Sequence, residues 1–150
     1  MVYGGSPAES GLTMCLSTSA SFPCDVSTPR KARQFCLDSL RELFPVGSDV
    51  VEDCLLVVSE LTSNSVQAGC GSLGLTVDVH RDHVRITADD DAPGVPRRVT
   101  VGPAQRSGRG LAIVESVSRT WGVQPLTYGK QVWADVAIGS ELVLAVDCRL

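Results

Sequence analysis

Residues 48–71 read SDVVEDCLLVVSELTSNSVQAGCG, and this stretch decides the fold. Ser48 is a natural N-cap, and Asp49, Glu52 and Asp53 place negative charge at the positive end of a helix dipole. Cys54, Val57, Val58 and Leu61 recur at i, i+3, i+4 and i+7, an apolar stripe that must face a core. Gly69 to Gly71 end the helix. Glu60 and Asn64 stand four residues apart on a different face, where they are either solvated or line a pocket.

Outward from this helix, the pattern alternates between the two regular periods. Upstream, Thr28 as N-cap and Pro29 in the first helical position open another helix, with Ala32, Phe35, Cys36, Leu40 and Leu43 as its apolar side. Pro45 and Gly47 close it. Leu12 to Leu16 reads as a first strand, and Ser21 to Thr28 as a connection. Downstream, Leu73–His80 and His83–Ala88 alternate in hydrophobicity around a short Arg81-Asp82 link, the signature of an antiparallel hairpin. Ala92 to Ser107 is irregular, with three prolines and three arginines, long for an inert connection. Helical periodicity returns from Gly108 to about Arg119 through Leu111, Val114 and Val117. Trp121–Leu126 and Gln131–Ile138 read as strands around a Tyr128-Gly129 turn, and Glu141–Leu150 as a further strand. Residues 1–10 read as a flexible tail, and 11–150 as a single domain.

Composition narrows the functional classes. Of 150 residues, 43% are hydrophobic and 20% charged, the balance of a globular protein. A net charge of −4 argues against a binder that tracks nucleic-acid phosphates. No apolar run is long enough to span a membrane, and Met1–Ser10 does not resemble a secretory signal, so a cytoplasmic location is expected. On that expectation the six cysteines, Cys15, Cys24, Cys36, Cys54, Cys70 and Cys148, are read as reduced thiols, with Cys36 and Cys54 at apolar helix positions. His80 and His83 are spaced like a metal pair, but without a third ligand nearby they read as solvated turn residues. Gly122 to Lys130 has too many residues between its glycines for a phosphate loop of the Walker type. Gly108-Arg109-Gly110 begins a dinucleotide fingerprint, but Ile113 stands where the last glycine is required.

Three blocks in register carry a family resemblance. They are Val57-Val58-Ser59-Glu60-Leu61-Thr62-Ser63-Asn64-Ser65-Val66, Asp90-Asp91-Ala92-Pro93-Gly94, and Gly108-Arg109-Gly110-Leu111-Ala112-Ile113-Val114 opening a helix. With Trp121-Gly122-Val123 and Gly129-Lys130-Gln131-Val132-Trp133, they resemble the ATP-binding domain of the gyrase, histidine-kinase and MutL (GHKL) superfamily. Within it they look most like the small anti-sigma-factor serine/threonine kinases. The resemblance implies an α+β fold of Bergerat type, a two-layer sandwich with helices on one face of a mixed, mainly antiparallel sheet. It implies ATP and Mg²⁺ as ligands, a small antagonist protein and a sigma factor as partners, and pairing into homodimers.

The chemistry of the residues is compatible with that resemblance. The Asn64 amide oxygen is a suitable hard ligand for Mg²⁺ beside phosphate oxygens. Glu60, one turn earlier, is placed to act as a general base. Asp90, at a strand end, is suited to accept the adenine amino group. Gly94 and the segment to Ser107 correspond to a nucleotide lid, while Gly108, Gly110 and Leu111 open a helix whose N-terminus favours phosphate. Arg109 adds positive charge there. Ala92 replaces a family glycine, which would strain a backbone needing positive φ, and Ala68 stands where relatives carry histidine. Two other readings are a non-catalytic, ATP-dependent protein-binding module and a scaffold that binds no nucleotide.

Overall fold

The computed structural model describes residues 14–93 and 106–139, with side chains from 15 to 93 and from 111 to 139. In chain order the elements are β1 (Met14–Pro23), α1 (Thr28–Leu40), α2 (Asp49–Gln67), β2 (Ser72–His80), β3 (His83–Asp90), α3 (Arg106–Val117), β4 (Thr120–Pro125) and β5 (Lys130–Ala137). The strands form one sheet in the order β1-β2-β3-β5-β4. Every pair is antiparallel, so the expected parallel component is missing from the described strands.

Strand alternation divides the sheet into two faces. Leu75, Val77 and Val79 on β2, Val84, Ile86 and Ala88 on β3, and Val132, Ala134 and Val136 on β5 are buried. They form one core with Ala32, Cys36 and Leu40 of α1, Val51, Cys54, Val58 and Leu61 of α2, and Val114 of α3. The helices therefore cover one face, as expected of an α+β sandwich. The other face is polar. Ser17 bonds Asp78 at 2.6 Å, Gln131 donates to Asp89 at 2.7 Å, and Arg85 makes a fork to buried Asp135 at 2.7 and 3.0 Å. The Arg85 guanidinium lies 4.3 Å from the centre of the Trp133 ring. Gly122 is obligatory beneath that ring, since a Cβ there would stand 2.7 Å from it.

Several expectations need correction. β1 runs to Pro23 and not merely to Leu16, so Ser21–Pro23 belongs to a strand. Its inward residues include the small Thr18 and Ala20, which hide the alternation, and Pro23 is tolerated because β1 lies at the sheet edge. The cap of α1 is Ser27, and Thr28 already lies in the helix. The Thr28 hydroxyl instead donates to the Pro23 carbonyl and accepts from the Asp25 N–H, tying the helix start to the strand end. α3 begins at Arg106, two residues early. His80 is buried, and His83 is partly buried in β3 with its ring stacked on His80, centroids 4.4 Å apart. They are not solvated turn residues, because the turn between them is only Arg81-Asp82.

The cysteine expectation is overturned. Cys24 and Cys70 form a disulfide, and Cys15 is also disulfide-bonded. Cys24 follows β1 and Cys70 lies between α2 and β2, and the Cys24 N–H bonds the Gly71 carbonyl at 3.1 Å. Tertiary structure joins residues 46 apart that no local spacing pairs. Among the described cysteines, only Cys36 and Cys54 match the expectation, as free, buried thiols. The tail to Ser10, Gly94, most of the lid segment, the expected Glu141–Leu150 strand and Cys148 lie outside the described residues. Among the described residues, no helix is long and apolar enough to cross a membrane.

Candidate functional site

The site is built where the end of β3 meets α2. β3 sends alternate residues to the helix face, so Asp90 continues the row of Val84, Ile86 and Ala88. On α2, Ser65 continues the core stripe through Val58 and Leu61 and is itself buried. The two polar residues meet inside an otherwise apolar layer, and the Ser65 hydroxyl donates a short hydrogen bond to Asp90 Oδ2. Lys130, paired with Asp90 in the β3–β5 register, reaches the same oxygen at 2.6 Å. The Ala92 N–H donates to Asp90 Oδ1 at 3.0 Å. The Asp90 side chain is 1% exposed and that of Lys130 is 16% exposed, so this is a shielded ion pair.

The neighbouring aspartates have separate partners. Asp89 turns to the polar face and accepts from Gln131. Asp91 accepts from the Gly71 and Ser72 N–H groups at 2.7 and 3.1 Å, which lock the start of β2 and hold its carboxyl below the usual carboxylate range. No described residue other than glycine has positive φ, so Ala92 fits without the strain its substitution for glycine implied. Behind Asp90 the β4–β5 turn closes tightly. Gly129 has φ +100°, and a Cβ there would lie 1.8 Å from the Asp90 carbonyl oxygen.

Glu60 and Asn64 lie one turn apart on α2, both partly buried. Burial alone raises the Glu60 carboxyl above its ordinary value of 4.5, which favours a proton acceptor at higher pH than a surface glutamate. The Asn64 backbone carbonyl accepts the Ala68 N–H at 3.0 Å within the helix end. Its side-chain amide makes no hydrogen bond to another described residue. An amide oxygen is a fitting donor for Mg²⁺, which takes few protein ligands and fills its shell with phosphate and water. No group of three or more His, Cys, Asp or Glu side chains is assembled for a metal among the described residues.

The structure thus brings Asp90 against α2, the helix that also bears Glu60 and Asn64, and packs α3 against that same helix. Gly108, Arg109 and Gly110 fall in the first half of α3, and partly buried Leu111 follows them. Ser65 and Lys130 were given no role at the site from sequence. Ser65 carried a signal, a polar residue on the apolar stripe four after Leu61. Lys130 falls in the Gly129–Trp133 block of the family resemblance but was given no role there, because its contact depends on cross-strand register.

The family model for histidine kinase-, DNA gyrase B- and HSP90-like ATPases matches residues 50–147, about two thirds of the chain. No curated protein is significantly similar to the chain. The chain belongs to this ATPase family, and the matched span contains every residue just placed at the site.

Proposed function

We propose that this member of the GHKL-type ATPases is a serine/threonine protein kinase using Mg-ATP, and that it regulates by phosphorylating a small antagonist protein and holding a sigma factor in its other state. The observation carrying the catalytic part is the carboxyl of Glu60, raised by burial and one helical turn from Asn64. Asp90 would read the 6-amino group of adenine. The N-terminal half of α3, with Gly108, Arg109, Gly110 and Leu111, would face the phosphates, where the helix dipole favours anions. Gly94 would lie in the lid. Asn64 would hold Mg²⁺, whose charge offsets that of the phosphates when bound. Glu60 would accept the proton of the partner's serine hydroxyl as its oxygen bonds the γ-phosphorus and the bond to ADP breaks.

The test is transfer of labelled γ-phosphate to candidate antagonist proteins, alongside calorimetric titration of ATP. Glu60→Gln should lower transfer by about 10²–10⁴-fold while leaving ATP affinity nearly unchanged. Asn64→Ala should remove the Mg²⁺ dependence of binding. The acidic limb of the wild-type rate profile should lie above pH 4.5, because Glu60 must be ionised to act as base and burial raises its value. Unchanged transfer in Glu60→Gln refutes its role. ATP binding without transfer to any candidate leaves an ATP-dependent binding module.

A further inference from the structure

Residues 65–72 lead from the end of α2 into β2, and the end of β3 holds them by polar contacts. The Asn64 and Ser65 carbonyls accept the Ala68 and Cys70 N–H groups at 3.0 and 3.2 Å. The Ser65 hydroxyl donates to Asp90, while Asp91 accepts from the Gly71 and Ser72 N–H groups. Gly69, at φ +87°, turns the chain out of the helix. The Cys24–Cys70 disulfide lands on this same stretch and ties it to the end of β1, an edge strand, beside the bond from the Cys24 N–H to the Gly71 carbonyl. A covalent cross-link therefore secures a segment otherwise held by hydrogen bonds. Cys70 is only 8% exposed, whereas Cys24 is half-buried, so an attacking thiolate arrives at the Cys24 sulfur.

Resting on the reading of α2 and Asp90 as parts of a nucleotide site, we infer that the Cys24–Cys70 bridge is a redox-sensitive clamp: closed, it holds the end of α2 against β3 and raises nucleotide affinity. The reductant is a dithiol, either a small molecule or a protein bearing two neighbouring thiols. Its thiolate attacks the Cys24 sulfur, a mixed disulfide forms, and Cys70 leaves as a thiolate that takes up a proton. The second thiol of the reductant then displaces Cys24. Two electrons and two protons pass to the bridge, and the reductant departs as its own disulfide. Opening the clamp leaves the core in place, because Val51, Cys54, Val58 and Leu61 pack earlier along α2. It lets residues 65–72 open locally, as helix ends and connections do at the low end of the stability range. Nucleotide binding must then order that segment, which lowers affinity.

The experiment compares the full chain before and after treatment with dithiothreitol. Thiol labelling read by mass spectrometry reports which bridge has opened, and thermal melts confirm that each form folds. After reduction the Cys70, Gly71 and Ser72 amides should lose protection from hydrogen exchange while those of Val58 and Leu61 keep theirs. ATP affinity, titrated with Mg²⁺, should fall about tenfold. By reciprocity, saturating ATP should shift the Cys24–Cys70 equilibrium about tenfold toward the disulfide in a dithiol buffer, a change of about 30 mV. Cys24→Ala/Cys70→Ala should match the reduced wild type and respond no further to the dithiol. Cys15 is also disulfide-bonded, so Cys15→Ser is the second variant, and it should respond to the dithiol as the wild type does. Equal exchange in the two forms, equal ATP affinity in the two forms, or a bridge that opens only on unfolding overturns the clamp. So does a response that persists in the double variant or vanishes in Cys15→Ser, either of which assigns it to the other bridge. A folded wild type that binds ATP in neither form, while exchange at residues 70–72 still differs, supports the clamp and overturns the nucleotide reading beneath it.

Discussion

Gly129→Ala separates two costs that are usually confounded, backbone strain and steric overlap. At φ +100° an alanine sits in the left-handed region, at a cost of about 1–2 kcal/mol. Its Cβ would also lie 1.8 Å from the Asp90 carbonyl oxygen, 2.6 Å from the Asp90 carbonyl carbon and 2.7 Å from the Asp91 Cα. All three are backbone atoms, so no side chain can swing away. Opening 1.8 Å to at least 3.0 Å requires the turn or the end of β3 to retreat by about 1.2 Å. Overpacking of this kind costs a further 1–3 kcal/mol or so, giving a total of about 2–5 kcal/mol. For a chain of this size that lowers Tm by about 4–20 °C. Gly47→Ala is the control, because φ is +89° and nothing lies within 4 Å of its Cβ. It should lose only the strain contribution, about 2–8 °C. Thermal melts followed by circular dichroism compare the two directly. Equal losses at positions 47 and 129 would refute the claim that the turn is pressed against Asp90.

Two further expectations concern the cysteines. The Cys24–Cys70 bridge closes a loop of 46 residues in sequence separation, for which the chain-entropy relation gives about 4 kcal/mol. The Cys24→Ala/Cys70→Ala double variant should therefore melt about 8–16 °C below the parent, and an unchanged midpoint would show that the bridge adds nothing. Burial pushes the Cys36 thiol up to about 12 and raises Cys54 as well, so alkylation near pH 8 should label neither until the chain is unfolded. The linked pH effect has a definite sign. The folded state keeps these protons while an unfolded thiol loses its own near 9.0, so stability is full below that pH and falls as pH rises toward 12. Alkaline urea titrations measure that decline.

What was legible in the sequence followed the strength of each periodic signal. α2 showed its cap, its stripe and its glycine stop, and the β2–β3 hairpin showed clean alternation around two residues. β1 was misjudged because Ser17, Ser19 and Ser21 alternate with residues as small as Thr18 and Ala20, leaving little contrast in hydrophobicity. The burial of His80 likewise depends on tertiary packing. At the candidate site, Glu60, Asn64 and Asp90 stood out by type and spacing. Lys130 and the Cys24–Cys70 bridge did not, since each joins chain segments whose encounter is set by sheet register.

The run Asp89-Asp90-Asp91 looks like a block of repelling charge, yet the pleat deals its members to different surroundings: Gln131 on the polar face, Ser65 and Lys130 beneath the helices, and the backbone at the start of β2. Insertions and substitutions should consequently have unequal evolutionary fates here. A changed side chain at one position disturbs one set of partners. A single inserted residue in β3 would shift the strand by half its repeat, send Asp89 toward the helices in place of Asp90, and break all three arrangements together. Length, more than composition, is what descent must hold constant in this strand.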